Sequence, residues 1–175
     1  LSPEHADAHF NLAGTLQMQG RFAEAEAAYR KALALRPGVA ETHGRLGACL
    51  NAQGRCSEAE ASYRQALELK PDYAEAANNL GSTLNTLGRV PEAQAAYRRA
   101  IAIRPEYAVA HFNLGVTLQD QTLWRDAEVC FRRALQSRPD LLEAQFRLAC
   151  VLHAAGNFSA AEVSYRQILL RKPDS

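Results

Sequence analysis

A chain of 175 residues, 47% of them hydrophobic, is long enough for one domain or a short repeat array. No apolar run in it approaches the length of a membrane span. Twenty Lys and Arg against nineteen Asp and Glu leave no net field that would draw nucleic acid, an anionic lipid surface or an acidic substrate.

Abundant Ala with sparse Gly, Pro and β-branched residues favours helices. Six of the seven prolines, Pro3, Pro37, Pro71, Pro105, Pro139 and Pro173, recur every 34 residues, a period that marks a solenoid of stacked units. The stretch HFNLAGTLQ at residues 9–17 returns as HFNLGVTLQ at residues 111–119, three periods later. Apolar residues three to four apart predict an amphipathic helix in each half of every unit. In residues 6–39 the first helix carries Leu12, Ala13 and Leu16, Gly20 marks the turn, and the second carries Ala25, Tyr29 and Ala32 before Pro37. Residues 40–73 repeat this with Leu46, Gly47, Leu50, Gly54, Ala59, Tyr63 and Ala66. Residues 74–107 give Leu80, Gly81, Leu84, Gly88, Ala93, Tyr97 and Ala100. Residues 108–141 give Leu114, Gly115, Leu118, Ala127, Phe131 and Ala134, but Thr122 stands where glycine marks the other turns, which predicts a less favourable turn. Residues 142–175 close the series with Leu148, Ala149, Leu152, Gly156, Ala161, Tyr165 and a departure at Ile168. The small columns let helices approach, Leu and Tyr fill the gaps, and each proline ends a second helix.

Nothing in the chain reads as a catalytic centre: it has no phosphate-binding glycine loop, no HExxH and no nucleophile elbow. His9, His43 and His111 share one repeat column and are expected to pack between helices rather than hold a metal, since adjacent copies are a whole unit apart. Cys49, Cys56, Cys130 and Cys150 lack metal-ligand spacing and read as reduced thiols of a cytoplasmic protein. Arg30, Arg64, Arg98, Arg132 and Arg166 form a strict column, but Glu26, Glu60, Gln94, Glu128 and Glu162 lie four residues earlier. That spacing predicts helix-surface pairs rather than an anion site. No cofactor is expected.

The 34-residue helix–turn–helix period with these columns resembles the tetratricopeptide repeat over essentially the whole chain. The resemblance implies an all-α, right-handed α-solenoid whose first helices line the concave face of a superhelix. Two places depart from the family pattern: its early aromatic is His9, His43, Ala77, His111 or Gln145 here, and its later Tyr is Leu throughout. On the face formed by the first helices, Asn11, Arg45, Asn79, Asn113 and Arg147 occupy one column. Gln17, Asn51, Asn85, Gln119 and His153 occupy another, with the small or neutral Gly14, Ala48, Ser82, Val116 and Cys150 between. Side-chain amides offer an acceptor and two donors, the complement of a peptide group, so these ladders suit an extended polypeptide held by its backbone. The two arginines suit an acidic group. The repeats also resemble those of O-linked N-acetylglucosamine transferases, which hold protein substrates on an asparagine ladder; Asn11, Asn79 and Asn113 match it. The carboxylate clamp of chaperone-binding relatives finds Phe10, Gly14, Glu75 and Asn79 in its places, which does not fit that ligand.

The expected function is a scaffold for a protein or peptide partner, with the substrate-recruiting arm of a larger bacterial glycosyltransferase as the alternative. Residues 1–5 resemble the tail of an upstream unit, and RKPDS ends the fifth unit without a polar capping helix. The chain therefore reads as a piece of a longer array, and its uncapped ends offer a further route, end-to-end self-association.

Overall fold

The computed structural model describes residues 3 to 171. Among them run ten helices and no strand: α1 Pro3–Met18, α2 Phe22–Leu35, α3 Ala40–Ala52, α4 Cys56–Leu69, α5 Ala74–Thr86, α6 Val90–Ile103, α7 Ala108–Asp120, α8 Trp124–Ser137, α9 Leu142–Ala154 and α10 Phe158–Arg171. Each odd helix opens a repeat and each even helix closes one, giving an all-α solenoid of tandem helix pairs. Two compact units, Leu1–Ala96 and Tyr97–Ser175, divide the chain. In the first, α1 packs on α2, α2 on α3, α3 on α4 and α4 on α5. In the second, α7, α8, α9 and α10 follow the same order. Four first helices start at the expected unit boundaries, whereas α1 starts at Pro3, before Ala6. Proline fits a first helical turn, where its missing N–H has no partner to lose. The last proline of the series, Pro173, and the chain's end lie outside the described residues.

The turns explain the mid-repeat glycines. Gly20, Gly54, Gly88 and Gly156 take φ between 74° and 79°, the left-handed region that side chains resist. The next residue's N–H then reaches back five residues, as Arg21 N to Leu16 O at 2.9 Å, and closes the helix end. Thr122 makes the same turn at φ 60°, with Leu123 N bonding Leu118 O at 3.0 Å. Its β-branched side chain gains nothing from that strain. Thr122→Gly is expected to stabilise the chain by about 1 kcal/mol, read as a raised thermal midpoint.

The core is a column of rings over small residues. Tyr29, Tyr63, Tyr97 and Phe131 are at most 2% exposed. A Cβ added at Gly47 would lie 2.8 Å from the Tyr63 ring, and one at Gly115 2.8 Å from Phe131, so ring and helix backbone touch. Burial grades along the chain. Leu46, Leu80, Leu114 and Leu148 are 5–8% exposed, but Leu12, in the same column, is 50% exposed. The four inner leucines follow a second helix in sequence, and among the described residues no second helix precedes Leu12. At the other end Phe158, Val163, Leu169 and Leu170 are exposed and Tyr165 is only partly covered.

The histidine column packs as expected and also caps. His43 Nε2 donates to the Pro37 carbonyl at 2.9 Å, and His111 Nε2 to the Pro105 carbonyl at 2.8 Å. The partner being a carbonyl, Nε2 must carry the proton. Gln145, in the same column, donates its amide to the Pro139 carbonyl at 2.6 Å. The polar residue thus satisfies the carbonyl that proline exposes at the previous helix end.

Charges seal the seams of the first unit. Arg30 pairs with Glu26 and Arg64 with Glu60 in i,i+4 geometry, as the spacing predicts. The same carboxylates take a second guanidinium from the next repeat: Arg55 on Glu26 at 2.6 Å and Arg89 on Glu60 at 2.7 Å. Burial opposes ionisation of Glu26, but hydrogen bonds from Gln53 and Arg30 and the charges of Arg55 and Arg30 hold its carboxyl below the ordinary range.

Candidate functional site

In the first unit the exposed face of α1, α3 and α5 opens into two clefts. The larger, about 600 Å³, is lined by Asn11, Gly14, Thr15, Gln17 and Met18 of α1, with Phe10, Phe22, Tyr29 and, from α3, Arg45. The second, about 430 Å³, is lined by Glu41, Gly44, Arg45 and Ala48 of α3, Lys70 and Tyr73 from the connection, and Glu75 and Asn79 of α5. Arg45 lines both, so three of the expected polar positions, Asn11, Arg45 and Asn79, border one continuous pair of clefts. Gln17, six residues after Asn11 on α1, lines the same cleft, whereas Asn85, six residues after Asn79 on α5, lines neither of the two.

The amides differ in what already holds them. Gln17 Oε1 accepts the Tyr29 hydroxyl at 3.0 Å. Asn51 Oδ1 accepts the Cys56 thiol at 3.6 Å and the Thr83 hydroxyl at 3.5 Å. Asn79 Oδ1 accepts the Asn78 amide at 3.2 Å. Burial pushes the Tyr63 phenol up and the nearby Tyr73 adds to this, while a hydrogen bond with Asn79 opposes both. Asn11 is exposed, with its side chain at the larger cleft. Burial also raises the Tyr29 phenol, and the Arg45 charge opposes that rise, which places the guanidinium near the ring that walls the larger cleft.

Two residues of the clefts have no counterpart in the polar columns. A Cβ at Gly44 would lie 2.9 Å from the Tyr73 ring, so Tyr73 fills the space that Phe10 fills one repeat earlier, where Phe10 packs edge-on to Tyr29 at 5.8 Å. Glycine in a helix interior is unfavourable, and that local cost is the one signal in the sequence that something large approaches there.

In the second unit Asn113 and Gln119 lie along α7 and Arg147 on α9, with Arg147 3.6 Å from Glu143. Gln119 Oε1 is buried with no hydrogen-bond partner among the described residues. The cause is visible in its repeat: Phe131 stands where Tyr29 supplies the hydroxyl to Gln17. Phe131→Tyr is expected to donate to Gln119 and raise the unfolding free energy by about 1 kcal/mol, measured by urea titration.

The described residues hold no cluster of metal ligands and no helix long and apolar enough to cross a membrane. Burial pushes the Cys130 thiol up to about 11 and the Cys49 thiol upward as well, which keeps both protonated and poor as nucleophiles.

Comparison with known proteins agrees with this architecture. The tetratricopeptide repeat profile matches residues 4–72, 38–106 and 72–140, and a second profile of that description matches residues 110–175. No curated protein matches the chain. Among solved structures, pilF of Pseudomonas aeruginosa is similar at 24% identity, over 95% of this chain and 76% of that one, with a TM-score of 0.86. MamA of Desulfovibrio magneticus RS-1 is 18% identical over 98% of both chains, with a TM-score of 0.85. YrrB, described as a repeat protein of this kind with an unusual peptide-binding site, is 21% identical over 95% of this chain and 86% of that one, with a TM-score of 0.75. At these identities the likeness is one of fold.

Proposed function

Because the chain belongs to the tetratricopeptide repeat family, whose fold is a scaffold for protein interaction, we propose that the face of its first helices holds an extended polypeptide segment. The observation that carries this reading is the pair of adjoining clefts bordered by Asn11, Arg45 and Asn79. Amides there pair with a peptide backbone whatever its side chains, and each such bond adds about 0.5–1.5 kcal/mol net. Gln17 and Asn51, already bonded within the chain, set the shape of the face, while Asn11 is open to a ligand. Asn85, Asn113, Gln119 and Arg147 continue the same columns on later repeats. The peptide-binding site described for YrrB supports this assignment, as does the resemblance of Asn11, Asn79 and Asn113 to the asparagine ladder of O-linked N-acetylglucosamine transferases. A recruiting arm would use the face in the same way. Four thiols outside any disulfide suit a reducing compartment such as the cytoplasm.

The test is a displayed library of short random peptides panned on the immobilised chain, followed by fluorescence anisotropy with the strongest synthetic binder. Replacing Asn11, Asn79 and Asn113 together by Ala is expected to weaken binding about tenfold or more, with the helical circular dichroism retained. Unchanged affinity in a folded triple variant would remove the amides from the site.

A further inference from the structure

The two clefts differ in charge. Phe10, Met18, Phe22 and Tyr29 give the larger one apolar walls beside Gly14, and Arg45 is the one charged residue that lines it. In the second cleft Arg45 and Lys70 are offset by Glu41 and Glu75. Arg45 is also weakly held. It pairs with Glu41 Oε1 at 3.9 Å, and the two side chains are 55% and 58% exposed. An exposed pair at that distance contributes little, so the guanidinium keeps its planar fork for an incoming carboxylate. Met18 is 85% exposed, and its unbranched thioether can fold over an apolar side chain of any shape.

We propose that the larger cleft selects, within the bound segment, a bulky apolar side chain next to an acidic residue whose carboxylate pairs with Arg45. This rests on the peptide-binding reading above and adds the chemistry of the ligand to it. The apolar side chain sits between Phe10, Phe22 and Tyr29 under Met18. The carboxylate meets the single cation at the border of the two clefts. A basic residue in that place meets a guanidinium only weakly offset by Glu41 and is rejected, so the same arginine supplies attraction and exclusion.

The panned peptides test this directly. Their sequences are expected to be enriched in an apolar residue adjacent to Asp or Glu. A fluorescein-labelled synthetic copy of the strongest binder is then compared with a copy in which the acidic residue is replaced by its amide. That exchange is expected to weaken binding to the unaltered chain about tenfold and to leave binding to Arg45→Gln unchanged. Met18→Ser, at an exposed position, is expected to weaken the peptide about threefold while retaining its preference for the acid. Peptides enriched without acidic bias, or an Arg45→Gln chain that still prefers the acid, would overturn the proposal while leaving the peptide-binding face in place. A library from which nothing is enriched would remove both.

Discussion

Tyr63→Ala is expected to lower the unfolding free energy by about 3–5 kcal/mol, the range for deleting a buried aromatic side chain. The ring is 1% exposed and lies against backbone at Gly47, so the hole it leaves is bordered by helix rather than by side chains that can collapse into it. The loss of its hydrogen bond with Asn79 adds to the cost. Tyr165, in the same column of the last repeat, is only partly covered. Tyr165→Ala is accordingly expected to cost less than about 2 kcal/mol, because little burial is lost. Urea titrations followed by circular dichroism give both values. Equal costs would show that burial along the column is not what sets stability.

Gly47→Leu is expected to destabilise by about 3 kcal/mol, the upper part of the usual range for overpacking. Even its Cβ falls 2.8 Å from a Tyr63 ring carbon, and a full leucine would separate the ring from the helix. Gly47→Ala is a much smaller insult. Ala13 and Ala149 occupy this column in sibling repeats, and replacing a helical glycine gains about 1 kcal/mol of propensity. The two large variants share one volume. Combined, Gly47→Leu and Tyr63→Ala are expected to cost clearly less than their sum, since the leucine enters the space the ring vacates. A double-mutant cycle measures that coupling, and strict additivity would mean that ring and glycine do not touch.

Periodicity makes the fold legible in this sequence. Leu, Gly or Ala, and Tyr recur at fixed offsets, and their faces are the buried ones. Thr122 stands out in the sequence for the same reason that it strains the turn: four other repeats place glycine there. What periodicity hides is any contact made between unlike positions. Arg30 is readable as the partner of Glu26 four residues away, but the second guanidinium on that carboxylate comes from Arg55, 29 residues on. No helical spacing predicts such a pair. Leu12 looks identical to Leu46 in sequence and is 50% exposed against 5%, because burial belongs to the neighbouring helix.

The candidate site divides in the same way. The positions of the polar columns follow from helix geometry, and Asn11, Arg45 and Asn79 border the clefts. Which amides are already occupied does not follow from it. Gln17 and Gln119 share a column, yet one accepts a tyrosine hydroxyl and the other is orphaned by a phenylalanine twelve residues later. Gly44 and Tyr73 escape a reading by columns altogether. Gly44 is the small exception in a column of Phe10, Asn78, Phe112 and Phe146, and Tyr73, from another column, fills the gap only when the two are brought together in space.

The guanidinium that bridges repeats gives the array a polarity. Its column runs Arg21, Arg55 and Arg89, then changes to Leu123 and Asn157; Arg55 and Arg89 reach the preceding repeat, while Arg21 pairs with Glu24 of its own. At those two positions the sequence supplies no guanidinium. A string of identical modules would fray wherever heat found it. Here Glu26 and Glu60 each hold two guanidiniums, so pulling these repeats apart breaks an ionic clasp as well as apolar packing, and salt that screens the clasp would soften the seat of a partner lying across them.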